Sequence, residues 1–156
     1  PIVNPTVMLH FTCIPFSALT LEALYAVMAL RQEVFVVEQN CPYLDADGKD
    51  PDAWHLLGRN QQGALVAYAR LMPPGIVYPG YVAIGRIVTA PVARGKGLGR
   101  ALVQEALDWI DRQFGETPVK ISAQSYLIDF YESFGFQTVG EPYLEDDIPH
   151  VAMVRR

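Results

Sequence analysis

The chain has 156 residues, 51% hydrophobic and 19% charged, with a formal net charge of -5, which is the composition and length of one globular domain rather than of a disordered chain. An acidic chain is a poor partner for nucleic-acid backbones, which need a basic face, and no run of about 18 apolar residues exists to cross a bilayer. With no charged-then-apolar leader at its start, the expectation is one domain over residues 1–156, cytoplasmic, without nucleic-acid or membrane partners.

In chain order, residues 7–13 read as a strand that Pro15 ends, and Thr20 caps a helix over 21–36 whose apolar positions Leu21, Leu24, Tyr25, Val27 and Met28 recur at helical spacing. Residues 41–52 are rich in Asp, Gly and Pro and form a loop. Two apolar runs, 54–60 and 64–72, flank Gln61-Gln62-Gly63 as a hairpin, and residues 81–89 form a further strand. Gly85 inside that strand marks a bulge or a close approach of another backbone or ligand. The clearest helix runs from Gly97 to Phe114 and ends at Gly115 and Pro118. A strand at 119–124, a short helix at 126–134 ended by Gly135, and strands near 136–140 and 149–154 complete the chain. The order is strand, helix, three strands, helix, strand, helix, strands, with no repeat or linker.

Metal chemistry has little support. Cys13 and Cys41 lie far apart and outside any zinc-type spacing, so free thiols are expected. Asp45, Asp47 and Asp52 resemble the start of a calcium loop, but Leu56 stands where such a loop needs its glutamate.

The most informative segment is Arg94-Gly95-Lys96-Gly97-Leu98-Gly99-Arg100, which leads from a strand directly into the clearest helix. The first N–H groups of a helix lack internal partners and sit at the positive end of its dipole, so they attract anions. Glycines at 95, 97 and 99 let a bulky phosphate reach that backbone, and Arg94, Lys96 and Arg100 add positive charge to an otherwise acidic chain. A Walker loop is excluded because Ala90 replaces its first glycine and Gly97 its Ser/Thr. The dinucleotide fingerprint G-x-G-x-x-G fails at Arg100.

This loop matches [QR]-x-x-G-x-[GA], and with Phe130-Tyr131-Glu132-Ser133-Phe134-Gly135-Phe136 the chain resembles the GNAT superfamily of N-acetyltransferases over roughly residues 20–140. Residues 30–39 (LRQEVFVVEQ), Cys41-Pro42-Tyr43, Gly140-Glu141 and Ile148-Pro149-His150 resemble its ElaA-like branch more closely. The resemblance implies an α/β (α+β) fold, a mixed and mostly antiparallel central sheet flanked by helices. It also implies acetyl-CoA as cosubstrate, no metal, and transfer of the acetyl group to a primary amine of a small molecule or peptide.

By the same resemblance, the strand with Ile87, Val88 and Thr89 splays from 119–124 and exposes backbone groups to the pantetheine arm. Loop residues 94–100 (Arg94, Gly95, Lys96, Gly97, Leu98, Gly99, Arg100) bind the pyrophosphate, Gln124 is a further cofactor contact, and Tyr131 is the general acid. Glu38, His55 and Glu141 are the candidate bases, although His55 in an apolar strand also reads as a satisfied core residue. Asp45, Asp47, Asp50 and Asp52 border the acceptor site, where they either attract a cationic amine or face solvent. A homodimer through late strands such as 149–154 is a further implication. The competing functions are a non-catalytic acetyl-CoA or CoA sensor and an acidic interaction domain.

Overall fold

The computed structural model describes residues 9–156. Strand β1 (His10–Pro15) is followed by α1 (Leu21–Arg31), and after a long loop come β2 (Trp54–Arg59), β3 (Leu65–Met72) and β4 (Val82–Thr89). Helix α2 (Leu98–Phe114) leads into β5 (Val119–Gln124), then the short α3 (Ile128–Glu132), β6 (Gln137–Glu145) and β7 (Ile148–Arg155). The seven strands form one sheet in the order β1-β2-β3-β4-β5-β7-β6, antiparallel throughout except for β4 against β5. The expected order and the mixed, mostly antiparallel sheet are both present. The first part of the expected strand at 7–13 lies outside the described residues.

Period-two alternation along the strands supplies two cores. Along β3, Ala67, Ala69 and Leu71 pack with Leu102, Ala106 and Leu107 of α2, while Val66 and Tyr68 point to the opposite face and join Val27 and Leu30 of α1. Thr20 caps α1 as expected, its hydroxyl accepting from the Ala23 N–H at 3.0 Å.

Three details differ from expectation. The helix expected over 21–36 is α-helical only to Arg31, and Gln32–Glu38 continues in wider π-helical turns. This stretch contains Val34, Val36 and Val37, whose β-branches crowd the preceding turn of an α-helix. The last hairpin is longer than expected, since β6 reaches Glu145 and β7 begins at Ile148. Strand β7 also lies between β5 and β6, so both its edges are already paired and strand 149–154 is not free to pair with a second copy. The open edge on that side is β6, where a register break spanning Gly140 to Pro142 interrupts the ladder.

Candidate functional site

Strands β4 and β5 pair only at Val82–Val119 and Ala83–Lys120. Beyond those two positions they diverge, and the wedge between them is a cleft of about 790 Å³. The divergence begins where β4 is irregular. Arg70 and Tyr68 of β3 face Gly85 and Val88 of β4, so Arg86 and Ile87 together oppose the single residue Ala69. The bulge signalled by Gly85 therefore lies just after it, with Arg86 at φ 51° as the strained residue. One extra residue flips the alternation of β4: Val82 and Ile84 face α2 before the bulge, whereas Val88 packs on the α1 side after it. Backbone groups of β4 beyond Ala83 consequently line the cleft instead of a β5 ladder.

A chain of ion pairs holds the bulge. Arg31, with no exposed surface, donates from Nε to Asp45 Oδ2 at 2.8 Å and from a terminal nitrogen to Asp50 Oδ1 at 2.7 Å. Arg70 makes two 2.8 Å bonds to the Asp47 carboxylate and one of 3.0 Å to Asp50. Arg86 donates from Nε to Asp45 Oδ1 at 2.7 Å and reaches Asp47 at 3.4 Å. Burial alone would raise the Asp47 and Asp50 carboxyls, but the arginine bonds outweigh it and hold both below the usual carboxylate range. Among buried side-chain polar atoms of the described residues, Arg70 Nε alone lacks a partner. These pairs correct the reading of the acidic loop: Asp45, Asp47 and Asp50 neutralise arginines of their own chain, and only the exposed Asp52 faces solvent without such a pair.

His55 belongs to the same buried layer and does not line the cleft. Its Nε2 lies 2.9 Å from the Asp50 carbonyl oxygen, an acceptor only, so Nε2 carries the hydrogen and Nδ1 accepts from the Tyr68 hydroxyl at 2.7 Å. Desolvation pushes its pKa down and keeps it neutral. With both nitrogens engaged and no exposed surface, His55 is a satisfied core residue and has no lone pair to offer a substrate. Glu141 is also misplaced for a base, on the exposed β6 outside the cleft. Glu38 does line the cleft, but its carboxylate grips Arg94 through contacts of 2.8 and 2.9 Å.

Of the expected cofactor contacts, Ile87, Val88, Thr89, Arg94 and Gln124 line the cleft. Gly95 to Arg100, which follow the lining residue Arg94 in the chain, are not among the lining residues. Gly95 and Gly97 take φ values of 82° and 75°, in the left-handed region that side-chain-bearing residues avoid. A Cβ at Gly95, Gly97 or Gly99 would meet nothing within 4 Å, so the space over this turn is open. No side chain caps α2, and its first internal bond runs from the Ala101 N–H to the Gly97 carbonyl, leaving the preceding amides without helical partners. Lys96 and Arg100 are exposed here, whereas Leu98 is buried. The Arg100 guanidinium stacks 4.7 Å from the Phe134 ring and donates to Ser133 Oγ at 2.7 Å, so it docks α3 against α2.

Tyr131 projects from α3 into the cleft wall, 6% exposed, packed edge-on against Phe130 and Phe136. Burial, with a smaller contribution from Tyr126, pushes its phenol up to about 12. Two cleft residues given no role by the sequence reading are His150 and Glu145, which the last hairpin brings together with His150 Nε2 3.2 Å from Glu145 Oε2. Their proximity depends on strand pairing, and the sequence offers only Ile148-Pro149-His150 as part of the resemblance to the ElaA-like branch.

No helix among the described residues is long and apolar enough to cross a membrane, and none of their His, Cys, Asp and Glu side chains form a group of three that could hold a metal ion. Residues 47–156 match the family model of the acetyltransferase (GNAT) domain. The ElaA protein of Escherichia coli (strain K12) is 42% identical over 152 residues, 95% of this chain and 97% of ElaA. Its crystal structure superposes with a TM-score of 0.88 at 40% identity, covering 96% of this chain and all of ElaA's. The crystal structure of an acyl-CoA N-acyltransferase from Pseudomonas aeruginosa superposes with a TM-score of 0.91 at 48% identity, over 96% of this chain and 100% of that one.

Proposed function

The chain belongs to the GNAT acetyltransferase family, whose members use a coenzyme A thioester as cosubstrate, and from that premise we propose that it transfers an acetyl group from acetyl-CoA to a primary amine of a small molecule or peptide. The observation that carries this reading is the wedge between β4 and β5, with a buried phenol in its wall and, following the lining residue Arg94 in the chain, an uncapped helix N-terminus. The free β4 backbone beyond Ala83 bonds the pantetheine arm. The amides of residues 95–100, helped by Lys96 and Arg94, hold the pyrophosphate, each charge-assisted bond contributing about 1.5–3 kcal/mol. Gln124 on the opposite wall is a further contact to the cosubstrate.

At the bulge, a backbone N–H of Arg86 or Ile87 stands outside the β3 ladder and stabilises the tetrahedral oxyanion. One such donor is worth about 2.7–4 kcal/mol. Tyr131 keeps its proton at neutral pH and gives it to the departing sulfur. A thiol with a pKa of about 8.5 is the stronger acid, so the phenol delivers its proton as the C–S bond breaks and recovers one from the amine nitrogen.

The test is thiol release from acetyl-CoA with the purified chain and a panel of amines: a polyamine, an amino sugar, an amino acid and a peptide with a free N-terminus. Amine-dependent release with matching acetylated product supports the reading. Release no faster with any amine than without one would remove it.

A further inference from the structure

A primary amine is an ammonium ion near neutral pH and has no lone pair for attack until a proton leaves it. His55 is sealed, Glu141 is outside the cleft and Glu38 grips Arg94. His150 is differently placed. It stands on β7 directly opposite Gln124 of β5 and Tyr143 of β6, and it lines the cleft while only 7% exposed.

Three contacts fix its ring. Nδ1 lies 2.7 Å from the Ile148 carbonyl oxygen, which only accepts, so in the neutral ring Nδ1 carries the hydrogen and the Nε2 lone pair faces a second acceptor, Glu145 Oε2 at 3.2 Å, an arrangement that a donor cation shared by the two satisfies. Tyr143 stacks on the imidazole with an interplanar angle of 20° and is itself hydrogen-bonded to Ser122 of β5, another cleft residue. Glu145 lies beside Nε2 with its side chain half exposed to the cleft. Asp146 and Asp147, at φ 51° and 62°, close the two-residue turn that sets Glu145 across from Ile148. The titratable groups against His150 are Glu145 and Tyr143 of β6, and the facing residue of β5, Gln124, is neutral.

We propose that His150 is the base that takes the proton from the acceptor ammonium, and that Glu145 holds that ammonium beside it, so the acceptor enters as a cation. This rests on the acetyltransferase reading above. One ammonium N–H donates to the Glu145 carboxylate and another to His150 Nε2. The second proton moves to Nε2, giving an imidazolium that Glu145 stabilises, and the freed lone pair forms the C–N bond at the thioester carbonyl. The C–S bond breaks, the sulfur takes the Tyr131 proton, and the nitrogen gives its surplus proton to the Tyr131 oxygen. The imidazolium then loses its proton to water, one per acetyl group transferred.

The experiment compares the wild type with His150→Asn, His150→Ala and Glu145→Gln on an amine that the wild type acetylates. Asn keeps an N–H for the Ile148 carbonyl and lacks Nε2. His150→Asn is expected to lower kcat/KM for the amine about 10²–10⁴-fold, to abolish the acidic limb of the pH profile, and to leave the acetyl-CoA-induced rise in Tm unchanged. Added imidazole restores part of the turnover of His150→Ala, a response that a purely structural histidine would not give. Glu145→Gln raises the amine KM and leaves that of acetyl-CoA unchanged. A His150→Asn protein within about threefold of wild type, with its acidic limb intact, overturns the proposal, as does an unchanged amine KM in Glu145→Gln, an exposed site where folding is not at stake. A wild type that binds acetyl-CoA yet turns over no amine overturns the acetyltransferase reading itself.

Discussion

Replacing Asp45 by Asn should both destabilise the protein and slow it. The carboxylate is 8% exposed, and three donors converge on its two oxygens: Arg31 Nε on Oδ2 at 2.8 Å, and Arg86 Nε and the Tyr43 hydroxyl on Oδ1 at 2.7 and 3.0 Å. An asparagine offers one oxygen and one NH2, so in either orientation a donor faces a guanidinium N–H. Losing one partner of a buried ion pair costs about 3–5 kcal/mol. Arg31 retains Asp50 and Arg86 retains Asp47, which places the loss near the lower end. At about 2–4 °C per kcal/mol for a chain of this size, Tm falls by roughly 6–12 °C. Asp111→Asn is the control: its pair with Arg155 is also two-pronged, at 3.0 and 3.1 Å, but exposed, and such pairs contribute about 0–1 kcal/mol. Because Asp45 anchors the bulge residue Arg86, kcat falls with Asp45→Asn and not with Asp111→Asn. Thermal melts followed by circular dichroism, with thiol release on the same samples, give both readouts. An Asp45→Asn protein melting within about 2 °C of wild type, or no lower than the control, would show that the buried pairs of Asp45 do not hold the loop.

Tyr131→Phe keeps the aromatic packing and removes the proposed proton donor, so turnover should drop by about 10²-fold or more with acetyl-CoA affinity nearly unchanged; equal turnover removes the acid role. Gly97→Ala puts a Cβ where φ is 75° and the space above is open, so the chain still folds with a penalty of about 1–2 kcal/mol while acetyl-CoA affinity falls tenfold or more, as read by titration calorimetry. Stability should also fall on acidification in two stages. His55 has its pKa depressed by burial, so its share is fully present above about pH 6.5 and is lost as pH drops toward the folded value. Asp47 and Asp50, depressed by their arginines, contribute above about pH 4 and lose that contribution below it. A urea midpoint that stays flat from pH 7 to pH 4 would contradict the burial of His55.

The features legible in the sequence are those encoded locally. The loop into α2 depends on glycine torsions and a helix start within a few residues, and the Gly97 to Phe114 helix depends on a period of 3.6. Gly85 marked the bulge to within a residue or two, but the extra position is set by how Arg70 and Tyr68 pair across from it. The ion-pair chain was not legible, because Arg86 and Asp45 are 41 positions apart and an Asp-rich loop reads the same whether its carboxylates meet water or arginine. The interior position of β7 was hidden for a similar reason, since β6 precedes it in the chain yet lies outside it in the sheet. His150 and Glu145 meet only once that hairpin has closed.

The most direct test of the proposed acetyl-CoA site is the melting temperature of the purified chain with acetyl-CoA, and separately with CoA, ATP and NAD. At a hundred times the dissociation constant, binding adds about 2.7 kcal/mol, or roughly 5–10 °C at this chain length. That rise is expected with acetyl-CoA and with CoA, and none with ATP or NAD. No rise with acetyl-CoA, or an equal one with NAD, would contradict the assignment of the β4–β5 wedge and the Gly95 to Gly99 turn.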